Sequence, residues 1–148
     1  MPDDPMSIAF EEALAAQERG EVPIGAAVAR EGVVIARAGN RTREDSDPTA
    51  HAEMLAIRAA AKIAGSPRLI DCDLYVTLEP CMMCVGAISH ARLRRLYYAA
   101  PDPKGGAVEH GPCFFSLATC LHAPEIYGGI RESDSAAMLR KFFAGKRT

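Results

Sequence analysis

His51-Ala52-Glu53 and, further along, Pro80-Cys81-Met82-Met83-Cys84 place one imidazole, one carboxylate and two thiols in two short segments of a 148-residue chain. These segments constrain the fold more than any other, because side chains distant in sequence must converge on one point. Cys81 and Cys84 stand at i and i+3, so on a helix they share a face. Pro80 suits a helix start. In a first turn, free backbone N–H groups and the positive end of the helix dipole favour negative charge and help hold both sulfurs as thiolates. His51 is expected early in another helix. Two helix N-termini reached from adjacent strand ends can then converge on one metal. One nitrogen and two sulfurs suit zinc, and three protein ligands leave a fourth position for water, as in catalytic zinc sites.

A structural zinc closes instead with a fourth protein ligand. His90, His110, Cys72, Cys113, Cys120 and His122 are the candidates, and only His90 lies near the motif, six positions after Cys84. Cys113, Cys120 and His122 could form a second cluster, but no short paired spacing supports it. Glu53 bears on the choice. Two thiolates cancel the zinc charge and weaken its acidification of water, so a proton acceptor is required, and Glu53 is placed to be one. Its other reading is an early-helix acid that complements the dipole.

The rest of the chain is consistent with one domain over residues 1–148. Hydrophobic residues are 49% and charged residues 24%, enough for a core without disulfide staples. The acidic start has no apolar run after it, so no export signal and no membrane span is expected. Five cysteines then read as reduced thiols in the cytoplasm. Net charge is −2, but residues 1–21 carry six acids against one base, leaving 13 acids and 16 bases in the remainder. Arg92, Arg94 and Arg95, and Arg140, Lys141, Lys146 and Arg147, form two basic clusters. They read either as a local basic face or as ordinary solvated surface.

Apolar spacing predicts a helix over 6–19, ended by Gly20, and strands over 24–29 and 33–38 turned at Glu31-Gly32. Asp47-Pro48 reads as N-cap and first residue of an alanine-rich helix running to about Ala64. A third strand is expected over 74–78, a buried helix apolar on nearly every side over 81–89, and a fourth strand over 93–99. Residues 101–124 read as a long irregular segment with a short helix near Phe114-Phe115. A fifth strand over 125–130 and a final helix over 133–143, with Ala136, Leu139 and Phe143 on one face, complete the chain. The alternation implies an α/β fold: three layers, with a mixed five-stranded sheet flanked by helices.

At Pro48-Thr49-Ala50-His51-Ala52-Glu53 and Leu74-Tyr75-Val76-Thr77-Leu78-Glu79-Pro80-Cys81-Met82-Met83-Cys84 the chain resembles the bacterial tRNA-specific adenosine deaminases of the cytidine deaminase-like superfamily. The likeness extends through Glu21-Val22-Pro23-Ile24-Gly25, Gly39-Asn40-Arg41, Asp102-Pro103-Lys104-Gly105-Gly106-Ala107 and Phe142-Phe143. H-x-E followed by P-C-x-x-C is the general signature of zinc nucleobase deaminases, in which a metal-activated water replaces an exocyclic amine. The resemblance implies a hydrolase that cleaves an amidine C–N bond, releases ammonia and converts adenosine to inosine at the wobble position of a tRNA anticodon. It implies one zinc per subunit on His51, Cys81 and Cys84, Glu53 as proton shuttle, and a homodimer contacting an anticodon stem-loop. It further implies that Asn40 holds the base, that Val22 and Pro23 flank the pocket, and that Asp102 meets a ribose 2′-hydroxyl. Lys104 would approach a phosphate. Phe142, Phe143, Lys146 and Arg147 would end a helix beside the RNA. Two other readings share the residues: deamination of a free base or nucleoside such as guanine or cytosine, and a non-catalytic zinc-stabilised RNA-binding module.

Overall fold

The computed structural model describes residues 4–145. Helix α1 (Pro5–Glu18) starts at Asp4, whose carboxylate accepts from the Ser7 N–H, with proline in its first turn. Strands β1 (Gly25–Arg30) and β2 (Val33–Gly39) pair antiparallel. Glu31 and Gly32 both take positive φ between them, as a tight hairpin turn requires. The chain continues through α2 (Ala52–Ala64), β3 (Cys72–Leu78), α3 (Met82–His90) and β4 (Arg95–Ala100). A 3-10 turn at Phe114–Ser116, β5 (Glu125–Tyr127) and α4 (Glu132–Gly145) follow.

The sheet order is β2-β1-β3-β4-β5. β1 runs antiparallel to β2 and β3, whereas β3, β4 and β5 are parallel, so the sheet is mixed as expected. Side chains alternate across it. Val28, Leu74, Val76, Leu96 and Tyr98 pack with α2 and α3 in the main core. Tyr75, Tyr97 and Ala99 point the other way, toward Met6 and Phe10 of α1 and Met138 of α4. Each fully buried side chain of Leu74 or Val76 size contributes about 1.5–3 kcal/mol. Gly25 lets α1 lie directly on β1, since a Cβ there would sit 1.9 Å from the Ala9 carbonyl oxygen. Tyr75, Tyr97 and Tyr127 stack across three strands at centroid spacings of 4.5 and 5.0 Å, which ties the short edge strand β5 to the sheet.

Three expectations need correction. The fifth strand ends at Tyr127 and not at residue 130, because Gly128-Gly129 follow, the latter at positive φ. The second helix begins at Ala52, not at Pro48: Asp47 accepts from the Thr49 N–H and hydroxyl in a local turn, a common alternative use of Asp. Helix α3 is not buried all round, because Met82 is 49% exposed and His90 is exposed on the side away from the sheet. The Ala136–Leu139–Phe143 face of helix α4 is only partly covered. The helix docks through the buried Ser135, whose hydroxyl donates to the Thr77 carbonyl, and Phe143 stays 48% exposed. Of the two readings of the basic residues, Arg94 and Arg95 fit the ordinary-surface one, because they pair with Asp73 at 2.8 Å and Glu125 at 2.9 Å. Lys146 and Arg147 lie outside the described residues. Among the described residues no helix is long and apolar enough to cross a membrane.

Candidate functional site

Both metal-ligand segments arrive at helix starts. His51 is the N-cap of α2 and Cys81 the N-cap of α3, each in extended backbone and neither spending its side chain on its own helix. Cys84 lies in the first turn of α3 and Glu53 in the first turn of α2. Asn40 takes over the capping task for α2 from a distance: its Oδ1 accepts from the Ala52 N–H at 3.0 Å. That leaves the His51 ring free to face the sulfurs.

His51 Nδ1 stands 3.6 Å from Cys81 Sγ and 3.6 Å from Cys84 Sγ. All three ligand atoms lie within 4.8 Å of one another. Tetrahedral zinc, with bonds of roughly 2.3 Å to sulfur and 2.0–2.1 Å to nitrogen, holds such atoms about 3.6 Å apart, so the donor set fits the ion in kind and in spacing. The electrostatics agree. A hydrogen bond from Cys84 drops the Cys81 thiol to about 4, while the same bond and burial push the Cys84 thiol up. A dication is what allows both to ionise. The hydrogen bond to Cys81 also raises the His51 imidazole above its usual value.

Glu53 is 4% exposed and lies against Cys84. Burial, reinforced by the Cys81 charge, pushes its carboxyl up to about 7, where a group can both take and give a proton near neutrality. Among the described residues no fourth His, Cys, Asp or Glu joins the cluster. The other candidates are engaged elsewhere: His110 on Glu79, His122 on the Leu93 carbonyl, Cys113 and Cys120 on backbone oxygens, and Cys72 in the main core. His90 is exposed, and Cys113, Cys120 and His122 form no second centre.

Val22, Asp102, Lys104 and Phe143 line a cavity of about 1130 Å³ with Ile24 and Arg140, and its lining includes none of His51, Glu53, Cys81, Cys84 or Asn40. Pro23 is buried and is not part of that wall. Two buried glutamates that sequence reasoning did not single out each hold a loop, Glu21 at 42–44 and Glu79 at 102–110. Glu21 accepts from the Arg43 and Glu44 N–H groups and the Thr42 hydroxyl, and Arg19 donates to the Asn40 carbonyl oxygen at 3.0 Å. Glu79, at the end of β3, collects four backbone N–H groups and the His110 ring. Burial opposes its ionisation, but the Asp102 N–H, the His110 ring and the 108–109 backbone outweigh burial and keep its pKa below the usual carboxylate range. The available signal was an acid at a strand end beside the motif, which has no fixed spacing to recognise.

Residues 2–100 match the family profile of the cytidine and deoxycytidylate deaminase zinc-binding region. Over 142 residues the chain is 61% identical to the tRNA-specific adenosine deaminase of Agrobacterium fabrum, spanning 96% of this chain and 93% of that one. A solved structure from a study of A-to-I editing by tRNA:A34 deaminases at the wobble position of transfer RNA aligns with a TM-score of 0.90 at 61% identity, covering 91% of this chain and 98% of that one. The guanine deaminase of Bacillus subtilis aligns less closely, with a TM-score of 0.65 at 32% identity over 97% and 92% of the two chains. By sequence over nearly its whole length and by fold, this chain belongs to the bacterial tRNA-specific adenosine deaminases, a branch of the cytidine deaminase-like superfamily.

Proposed function

We propose that this chain, acting in the cytoplasm as one deaminase domain over residues 1–148 and as a homodimer, hydrolyses the wobble adenosine of a tRNA anticodon to inosine. The observation that carries the reading is the three-ligand cluster with a buried, proton-competent Glu53 against it. His51, Cys81 and Cys84 would hold a zinc ion, which would supply Lewis acidity to the attacking water. Glu53 takes one proton from the attacking water and gives it to the ring nitrogen N1, then moves the remaining proton of the added hydroxyl to the departing amine. The C6–O bond forms, the C6–N bond breaks, and ammonia and inosine leave.

Asn40 turns its amide N–H2 to the purine, since its oxygen is used on Ala52. The cavity wall takes the nucleotides around the target. Val22 packs there with Pro23 buried behind it in sequence, the Asp102 carboxylate accepts from a ribose 2′-hydroxyl, and Lys104 meets a phosphate. Phe143 offers an exposed ring for stacking. A loop base is already partly unstacked, so extruding it costs little.

The test is direct. Zinc-loaded protein should form inosine in an anticodon stem-loop carrying adenosine at the wobble position, read as an A-to-G change after reverse transcription. It should release no ammonia from free guanine, cytosine or cytidine. Ammonia from a free base with an inert stem-loop would favour the free-base reading. A binding-only module would release none from any substrate. The homodimer is supported by the exposed apolar residues Met82, Leu117 and Leu121 around α3 and the 3-10 turn, Leu121 being 78% exposed. Sedimentation equilibrium should return the mass of two chains, and a Leu121→Glu variant should shift the protein toward one.

A further inference from the structure

We propose that Glu79 is a positioning residue that fixes the 102–110 segment as one wall of the substrate cleft, so that its carboxylate sets RNA binding without touching the reaction. The inference rests on the tRNA reading above. Glu79 is 2% exposed at the C-terminal end of β3, immediately before Pro80 and Cys81. Its Oε2 accepts from three successive backbone N–H groups, those of Val108 at 3.1 Å, Glu109 at 3.0 Å and His110 at 3.2 Å. Successive N–H groups turned to one point form an anion-binding nest, and here the protein supplies its own anion. Oε1 accepts from the Asp102 N–H at 2.9 Å and lies 2.8 Å from His110 Nδ1. A carboxylate can only accept, so the ring donates from that nitrogen.

One side chain therefore ties both ends of the segment to the strand that leads into the metal ligands. Between those ends stand Asp102, Lys104 and Gly105 of the cavity wall. Asp102 in turn orders its neighbours, accepting on Oδ1 from the Lys104 and Gly105 N–H groups at 3.2 and 3.1 Å. Gly106 makes the approach possible: a Cβ there would sit 2.4 Å from Glu79 Cδ and 2.6 Å from the Asp102 carbonyl oxygen. Residues 107–109 are also held by the buried Ala107 and Val108, by the Ala107 N–H on the Pro80 carbonyl at 2.9 Å and by the Tyr98 hydroxyl on Glu109. Lys104 and Gly105 are exposed and no regular element runs through 101–113, so Glu79 and Asp102 are what orders the 102–105 stretch.

Glu79→Gln keeps the shape and removes half of the acceptor capacity. An amide offers one oxygen and one N–H2 group. Whichever way it turns, the N–H2 faces a backbone N–H: that of Asp102 in one orientation, those of 108–110 in the other. Glu79→Gln and Gly106→Ala should each raise KM for the anticodon stem-loop by about tenfold or more. Both should leave kcat within about threefold and zinc at one ion per chain. The double variant should be little worse than either single one, because both break the same tie.

KM within twofold of the native chain in both variants, a fall in kcat at unchanged KM, or loss of zinc would overturn the proposal. Zinc loss would mean that Glu79 holds the ligand loop and not the wall. If Glu79→Gln fails to fold, Gly106→Ala carries the test alone. Native protein that forms no inosine in the stem-loop sinks the tRNA reading, and this proposal with it. An active native enzyme with indifferent variants sinks this proposal only.

Discussion

Glu53→Gln is expected to lower inosine formation by about 10²–10⁴-fold while zinc stays at one ion per chain. The amide has the volume and one oxygen of the acid, so the first turn of α2 should keep its conformation. What it lacks is a proton acceptor in the range the site requires. Burial pushes the Glu53 carboxyl up to about 7, against an ordinary value of 4.5, and the metal cluster itself includes no carboxylate among the described residues to take over. The stem-loop should still bind, so the loss belongs in kcat and not in KM. The measurement is single-turnover deamination at saturating RNA beside metal analysis of the same preparation. Retained turnover with retained zinc would return Glu53 to the role of a dipole-complementing acid.

The second large effect is expected on the metal itself. Cys84→Ser should weaken zinc binding by at least about 10²-fold, since loss of a mere supporting contact around such sites costs up to that much. Activity should fall with it, and a chelator should do the same to the native chain. Stability should fall as well. His51, Cys81 and Cys84 sit at the starts of two helices packed on the sheet, and a ligand that binds only the folded arrangement stabilises it by mass action. The melting temperature of the native chain should therefore drop on chelation and recover on adding zinc. In Cys84→Ser it should already be low and respond to neither. An unchanged melting curve on chelation would show that the ion contributes nothing to the fold.

Much of this arrangement was legible in the residues. The hairpin turned at Glu31-Gly32, the first four strands and the helix ending before Gly65 all carry local signals and appear within two residues of where the pattern placed them, whereas the fifth strand stops at Tyr127. The His51, Cys81 and Cys84 triad was legible for a different reason: zinc chemistry admits few donor sets, and each has a spacing. The start of α2 was misread because Asp47-Pro48 carries a helix-start signal that a local turn satisfies equally well, whereas the real cap is Asn40, twelve residues earlier. Long-range capping has no sequence period. The exposed side of α3 was misread because an apolar composition does not say which face a neighbour will cover.

The residues alone determined the chemistry and the order of the elements, because hydrophobic period, turn preference and metal-ligand type are properties of short segments. Only the tertiary structure decided that one aspartate would order a turn while two glutamates, Glu21 and Glu79, would vanish into the interior as anchors for the loops around the site. A carboxylate is stable in either place. What selects between them is whether unpaired backbone N–H groups are brought close enough to replace its water, and those groups come from parts of the chain that meet only when the sheet is formed.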